Sequence, residues 1–147
     1  MAVLFLDANV LFSAAYREGS GLVRLWQLPD VRLITSEYAY LEARQNLSEE
    51  DKDPEGKLAR LEQLMQSVRT CDPAPPDWLG KWDALCRELI DLPEKDRPIF
   101  LAAVAANATH LLTGDRAHFG PYFGQTIETV RILLPGEYLR SRSPPQT

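Results

Sequence analysis

The chain has 147 residues, of which 45% are hydrophobic and 25% are charged, and its formal net charge is −5. This length and composition predict one globular domain over residues 1–140, followed by a disordered tail over residues 141–147. They argue against a membrane protein, since no apolar run reaches the length of a membrane span, and against a simple nucleic-acid-binding module, which is usually basic.

The chain opens with an apolar run over residues 2–6 that ends at Asp7. Five apolar residues without alternation predict a strand buried on both faces, as in a parallel sheet covered by helices. A short helix is predicted to follow over residues 9–15. Because ligands of open α/β sheets bind beyond the carboxyl ends of the strands, Asp7 marks the edge where a site is expected.

Strand and helix patterns then alternate along most of the chain. This alternation predicts an α/β fold: a three-layer α/β/α sandwich with a mostly parallel, Rossmann-like central sheet of four to five strands. Residues 48–56 and 72–77 are expected to be loops, the first solvated and mobile. The remaining predicted strands are residues 31–35, 68–71, 109–113 and 129–133. The remaining predicted helices are residues 21–27, 37–47, 57–68, 78–90, 97–107 and 135–140. Ser20 and Ser36 are predicted to cap the first two of these helices.

Four acids fall near the same predicted edge of the sheet. Asp7 and Asp115 follow the first and fourth strands, Asp96 opens the alanine-rich helix, and Glu42 lies one turn after Tyr38, at the border of a predicted buried face. Each acid alone has an ordinary alternative, either a helix cap or a surface ion pair. Together they would repel one another unless protons or cations neutralise them. A cluster made of carboxylates alone favours a hard cation, Mg²⁺ or Mn²⁺.

These motifs, taken together and in this order, resemble those of the PIN domain family. The resemblance covers nearly the whole chain and implies a metal-dependent endoribonuclease that hydrolyses phosphodiester bonds of single-stranded RNA. The matching segments are LDANVL at residues 6–11, Glu42 on its helix, KDRP at residues 95–98 with the alanine-rich run, and LTGDRAHF at residues 112–119.

The resemblance also implies a role for individual residues. Asn9 matches a polar position that orients Asp7 or a bound water, and Thr113 matches the hydroxyl before the last aspartate, which supports the metal ligands without binding the ion itself. The catalytic and metal-binding quartet would be Asp7, Glu42, Asp96 and Asp115. Glu37 competes with Glu42 for the second place, although a glutamate in a first helical turn is expected to compensate the helix dipole.

His118 is a departure from the family pattern, because many members have a further acid three residues after the last aspartate. A neutral imidazole there removes one negative charge and could loosen a second metal site. His118 would otherwise contact phosphate or support the fold around the ligands. Arg97 and Arg116 directly follow quartet aspartates, so each either contacts the RNA backbone or forms a surface ion pair.

Partners and location are further expectations. Many bacterial family members are the toxin of a toxin–antitoxin pair, which implies an antitoxin protein as partner; others are solitary or processing nucleases. A homodimer is also expected, because the helices offer apolar surface. The N-terminus has no basic signal region and Cys71 and Cys86 form no disulfide pattern, so the protein is expected in the cytoplasm. The apolar residues considered for the dimer are Trp26, Tyr38, Tyr40, Leu58 and Leu61.

Two other classes of protein share parts of this pattern. A phosphoryl-transfer domain of the receiver or haloacid-dehalogenase kind also has an aspartate after its first strand. The dehalogenase pattern needs an acid or hydroxyl at the position of Asn9, and the receiver needs adjacent acids, so both are disfavoured. A nuclease-like fold that binds RNA or protein without cleaving it is the main alternative.

Overall fold

The computed structural model describes residues 1–71, 80 and 90–142. Its strands are β1 (Ala2–Leu6), β2 (Val31–Ser36), β3 (Val68–Cys71), β4 (His110–Leu112), β5 (Thr126–Ile127) and β6 (Val130–Leu133). Its α-helices are α1 (Ala8–Tyr16), α2 (Glu37–Ser48), α3 (Pro54–Met65), α4 (Arg97–Ala105) and α5 (Pro135–Arg142). Short 3₁₀ helices lie at Gly21–Gln27, Glu94–Asp96 and Gly120–Tyr122. None of the helices in the described part of the chain has the length and apolar character that crossing a membrane requires.

The strands form one sheet in the order β3-β2-β1-β4-β6-β5. Every pairing is parallel except that of β5 with β6. The predicted α/β class and the mostly parallel sheet flanked by helices are therefore confirmed. The sheet has six strands, where four to five were predicted.

Strand β1 lies in the middle of the sheet, as its apolar run predicts. It pairs with β2 on one side and with β4 on the other, with Leu6 beside Leu112. Leu4, Phe5 and Leu6 are all fully buried. The order of the strands reverses between β1 and β4, and such a switch point leaves a crevice at the carboxyl ends of the two strands. Asp7 and Asp115 follow these two strands.

The extra strand, β5, forms a hairpin with β6 that the sequence analysis missed. Its turn residues, Glu128 and Thr129, both have positive φ, at 51° and 72°. Asparagine and glycine usually mark such a turn, and neither occurs here. Thr129, predicted to begin a strand, is therefore a turn residue.

Helix α3 begins earlier than predicted, inside the expected loop over residues 48–56. The Asp53 side chain accepts a hydrogen bond from Gly56 N, and Pro54 occupies the first turn, where a missing N–H costs nothing. The last helix, α5, also runs longer than predicted, through Arg142. Ser141 and Arg142 are thus helical and not part of a tail.

Two serines were predicted to cap helices, and one does. Ser36 Oγ accepts a hydrogen bond from Ala39 N at the start of α2. Ser20 caps nothing, because its hydroxyl donates to the Ser13 carbonyl and residues 21–27 form a 3₁₀ helix.

The apolar spacing of α2 predicts a buried face that contains Tyr38 and Leu41, and the observed buried face is different. Ala39, Ala43 and Leu47 are buried, whereas Tyr38 and Leu41 are 44% and 50% exposed. Small residues on the inner face let the helix pack closely, which leaves the larger side chains outside.

Part of the apolar surface considered for a dimer belongs to the core. Leu61 is fully buried, and Trp26 and Leu58 pack against the core. Trp26 Nε1 also donates to the Leu64 carbonyl. Of these residues only Tyr38 is largely exposed, so these side chains offer a partner little surface.

Some predictions lie outside the described residues. These are the predicted loop over 72–77, the predicted helix over 78–90 except Gly80 and Ile90, and the tail over residues 143–147.

Candidate functional site

Asp7 ends β1 and caps α1, so the ordinary helix-cap interpretation holds for this residue. Its Oδ1 accepts from Ala8 N at 2.7 Å, and its Oδ2 accepts from Thr113 Oγ1 at 2.8 Å and from Asn9 Nδ2 at 3.3 Å. The residue is 4% exposed. Burial raises the pKa of the Asp7 carboxyl to about 6, and the nearby charges of Glu42 and Asp96 add to the rise. The hydrogen bonds from Thr113 and Ala8 oppose it.

Thr113 connects two of the four acids through one buried hydroxyl. Its Oγ1 donates to Asp7 and accepts from Asp115 N at 3.1 Å. Asn9 reinforces this link, because its Nδ2 donates to Thr113 Oγ1 at 3.2 Å and its Oδ1 accepts from Gly114 N at 2.7 Å. A Cβ at position 114 would lie 3.3 Å from Asn9 Oδ1, so glycine allows this close approach. The link fixes the ends of β1 and β4 to each other.

Asp96, Asp115 and His118 form a second group of side chains. His118 Nδ1 lies 2.8 Å from Asp115 Oδ2 and 3.0 Å from Asp96 Oδ2. Asp96 Oδ2 is buried, and among the described residues nothing forms a hydrogen bond with it. Burial raises the pKa of Asp96, the charge of Asp115 raises it further, and His118 and Lys95 act in the opposite direction. Asp96 precedes α4, but its side chain makes no capping hydrogen bond.

Glu42 and Asn46 lie one turn apart on α2, and Glu50 follows two residues after the end of that helix. Glu42, Asn46 and Glu50 are spaced four residues apart and all line the same cavity. Glu42 and Asn46 neighbour the buried stripe of Ala39 and Ala43, so Glu42 does border a buried face. Glu50 lies in the loop predicted over residues 48–56, but it is half-buried and lines the cavity. The regular spacing after Glu42 was the signal that could have identified Asn46 and Glu50.

The four predicted acids meet at one open cavity of about 480 Å³ beyond the carboxyl ends of β1 and β4. Glu37, the competitor of Glu42, is exposed in the first turn of α2, and it is not among the described residues that line the cavity. The lining residues are Asp7, Ala8, Asn9, Phe12, Ser13, Glu42, Asn46, Glu50, Lys95, Asp96, Gly114 and Asp115.

The two predicted RNA-contacting arginines lie outside this lining. Arg97 is half-buried and its Nε donates to the Leu92 carbonyl at 3.2 Å, while Arg116 is exposed. Among the described residues that line the cavity, Lys95 supplies the only basic side chain, and it was not singled out from the sequence. Tyr38 lies nearby, with its hydroxyl donating to the Lys95 carbonyl at 2.9 Å. Burial raises the pKa of Tyr38, and the charges of Glu42, Asp96 and Asp7 raise it further.

A divalent cation fits these residues. The donors that face the cavity are mainly carboxylate oxygens, which suit Mg²⁺ or Mn²⁺. Asp96 Oδ2 is a buried acceptor without a hydrogen bond from the described residues, and such an atom is costly unless a proton or a cation compensates it. Burial is the main cause of the raised pKa values of Asp7 and Asp96, and a bound cation would offset the cost of their buried charge.

The Thr113 hydroxyl is expected to control metal affinity through Asp7. In the Thr113→Val variant the Asp7 carboxylate loses one donor, so its pKa should rise further and Mn²⁺ affinity should fall about 10–100-fold. Calorimetric titration with Mn²⁺ measures this change. Thr70→Val, at an exposed position of β3, is the matched control and should bind as wild type does. Equal affinity in the two variants would contradict the link.

The chain matches one protein-family model and is similar to several solved structures. A family model described as PIN domain matches residues 3–117. The solved structure of VapBC-1 from nontypeable Haemophilus influenzae is similar, at 21% identity and a TM-score of 0.63, covering 91% of this chain and 98% of that chain. VapBC2 from Rickettsia felis, bound to a DNA fragment from its promoter, gives 18% identity and a TM-score of 0.64, with 88% and 96% covered.

A third similar structure is Mycobacterium tuberculosis VapC20, described as a toxin that cleaves the sarcin–ricin loop. It is 18% identical, with a TM-score of 0.56, and the match covers 85% of this chain and 97% of that chain. At such identities these likenesses establish the fold alone. No curated protein matches the sequence.

Proposed function

Since this chain belongs to the PIN domain family, we propose that it is a divalent-metal-dependent endoribonuclease that hydrolyses phosphodiester bonds of single-stranded RNA. The observation that supports this proposal most is the meeting of Asp7, Glu42, Asp96 and Asp115 at one cavity, from four separate parts of the chain. The proposal treats residues 1–140 as the nuclease domain.

In this proposal Asp7, Asp96 and Asp115 hold Mg²⁺ or Mn²⁺, and Glu42 either joins them or positions the attacking water. A divalent ion bound there supplies polarisation of a phosphoryl oxygen and a lowered pKa for water. Asn9 and Thr113 fix the direction of the Asp7 carboxylate through their hydrogen bonds.

Basic residues near the cavity would hold the RNA backbone. Lys95 lines the cavity and is exposed, so its ammonium group can reach a phosphate that enters it. Arg116 is exposed, and its chain neighbour Asp115 lines the cavity, which suits a contact with the next phosphate. Arg97 is half-buried and already donates to a backbone carbonyl, so its predicted role is the least supported of the three.

We also infer a protein partner. Similar solved structures include the VapBC complexes and FitAcB from Neisseria gonorrhoeae, and VapC20 is described as a toxin. This supports a cytoplasmic toxin whose partner is an antitoxin, and a homodimer remains part of the proposal. Growth arrest on expression, relieved by co-expression of a neighbouring reading frame, would support the toxin role; unaffected growth would count against it.

Removal of metal is expected to abolish cleavage of single-stranded RNA. We expect Mn²⁺ to support cleavage of an unstructured oligonucleotide, EDTA to stop it, and renewed Mn²⁺ to restore it. Gel analysis of end-labelled RNA measures the products. Cleavage that persists in EDTA would contradict the proposal. RNA binding without cleavage under any divalent ion would instead identify a silent binding module.

A further inference from the structure

The His118 ring points at two of the proposed metal ligands, with Nδ1 2.8 Å from Asp115 Oδ2 and 3.0 Å from Asp96 Oδ2. We propose that His118 is itself a metal ligand, so that Asp96, Asp115 and His118 form a mixed oxygen–nitrogen site that favours transition-metal ions such as Mn²⁺ over Mg²⁺. This inference rests on the divalent-metal dependence proposed above.

The distances among the three donor atoms are those of ligands around one ion. Two donors about 2.1 Å from an ion and at right angles to each other lie about 3.0 Å apart. His118 Nδ1 lies 2.8 Å from Asp115 Oδ2 and 3.0 Å from Asp96 Oδ2. All three donor atoms fall within 4.8 Å of one another. The three side chains therefore converge with the spacing that a shared cation requires.

Asp96 provides independent support, because one of its oxygens is buried without a hydrogen bond. Asp96 is 8% exposed, and among the described residues no donor is aligned with its Oδ2. His118 Nδ1 lies 3.0 Å from this oxygen, but the ring is aligned for a hydrogen bond with Asp115 Oδ2 and not with Asp96 Oδ2. Nδ1 carries at most one proton, and Asp115 Oδ2 is nearer to it. A cation between the three groups would satisfy the oxygen that the protein leaves unpaired.

The loop after β4 holds the imidazole and the Asp115 carboxylate in place. His118 N donates to Asp115 Oδ1 at 3.1 Å, which leaves Asp115 Oδ2 directed at the ring. The next residue, Phe119, is fully buried, and its N–H donates to the Asp115 carbonyl. The His118 side chain keeps 32% of its surface exposed, so a metal ion and water can reach it.

The ligand chemistry sets the expected preference among ions. Mg²⁺ prefers oxygen ligands and near-ideal octahedral geometry, whereas imidazole nitrogen suits transition metals better. An acid in place of His118 would return the group to oxygen donors alone.

The chain contains two histidines, His110 and His118, which makes the test direct. Tag-free protein is loaded with Mn²⁺ alone, and electron spin-echo envelope modulation is recorded for coordinated imidazole ¹⁴N. We expect the nitrogen signal in wild type and in His110→Gln. His110 lies at the start of β4, at the other end of that strand from Asp115. We expect no signal in His118→Ala. Wild type grown with ¹⁵N-histidine should show the corresponding isotope change, and this measurement does not depend on how a variant folds.

Selectivity is the second measurement. Calorimetric titration of His118→Asp should show a ratio of Mn²⁺ to Mg²⁺ affinity about tenfold or more below that of wild type. Bound Mn²⁺ without a histidine nitrogen signal would overturn the inference and leave His118 as a hydrogen-bond donor that holds Asp115. Cleavage of RNA by such a protein would keep the proposed function intact. A nitrogen signal without cleavage would leave the metal site intact and refute the nuclease. Failure to bind Mn²⁺ would refute both.

Discussion

Asp7→Asn is expected to lower the rate of Mn²⁺-dependent RNA cleavage by about 10²–10³-fold while the protein stays folded. The ion in a hydrolytic site contributes several kcal/mol to the transition state, and each 1.36 kcal/mol is tenfold in rate. Asparagine has nearly the same shape, and its oxygen can still accept from Ala8 N and keep the cap of α1. What the variant loses is one negative charge in the lining of the cavity.

The control for this variant is the same substitution at the opposite end of the sheet. Asp30 is exposed, precedes β2 and has a φ of 58°, a conformation that asparagine also tolerates. Asp30→Asn should cleave RNA at the wild-type rate. Circular dichroism tests whether each variant is folded, and the cleavage rate at saturating Mn²⁺ measures its activity. Wild-type rates in a folded Asp7→Asn protein would remove Asp7 from the catalytic site.

Asp7 is also expected to make the metal-free protein less stable at neutral pH. The pKa of its carboxyl is raised from the usual 3.8 to about 6 in the folded state, mainly by burial. Between pH 3.8 and about 6, the Asp7 carboxyl is mostly protonated in the folded protein and mostly ionised in the unfolded chain. The free energy of unfolding therefore falls as pH rises from about 4 to about 6, and the loss is complete above that range. The loss is on the order of 2–3 kcal/mol.

Other groups titrate over the same pH range, so the effect of Asp7 is measured as the difference in free energy of unfolding between wild type and Asp7→Asn. In EDTA, Asp7→Asn should equal wild type near pH 4 and exceed its free energy of unfolding by about 2–3 kcal/mol near pH 7.5. Urea unfolding at several pH values measures this difference. Saturating Mn²⁺ should stabilise wild type, because it binds only the folded state, and should affect the variant little. A difference that is constant with pH would contradict the raised pKa.

The sequence could identify the site residues whose positions follow from local patterns of strands and helices. Asp7 follows an unbroken apolar run, and the carboxyl ends of β1 and β4 meet because parallel neighbours align their ends. The predicted helices place Glu42 and Asp96 near the same edge, and the family resemblance groups all four acids as one quartet. Strand periodicity alone gives no direction for a side chain on a helix. The structure brings all four to one cavity, while their chemical roles stay predictions.

Other features could not be predicted from the sequence, because they depend on how the helices and strands pack against one another. Local spacing favoured Tyr38 and Leu41 for the inner face of α2, whereas packing against the rest of the fold selected the small Ala39 and Ala43. Glu50, two residues after the end of α2, also lines the cavity. Hairpin β5–β6 is held by two backbone pairings and an unusual turn, too short a pattern to detect in advance. The direction of the His118 ring depends on the loop after β4.

The bond between Thr113 and Asp7 joins residues 106 positions apart, and this has a consequence for how the protein is made. A ribosome synthesises β1 first, but that strand gains its second neighbour only when residues 110–112 emerge. A nascent chain that stops earlier contains Asp7 and Glu42 but neither Thr113 nor Asp115. The cluster of acids therefore cannot assemble before residue 115 has been translated, and whatever chemistry it performs begins only after that point.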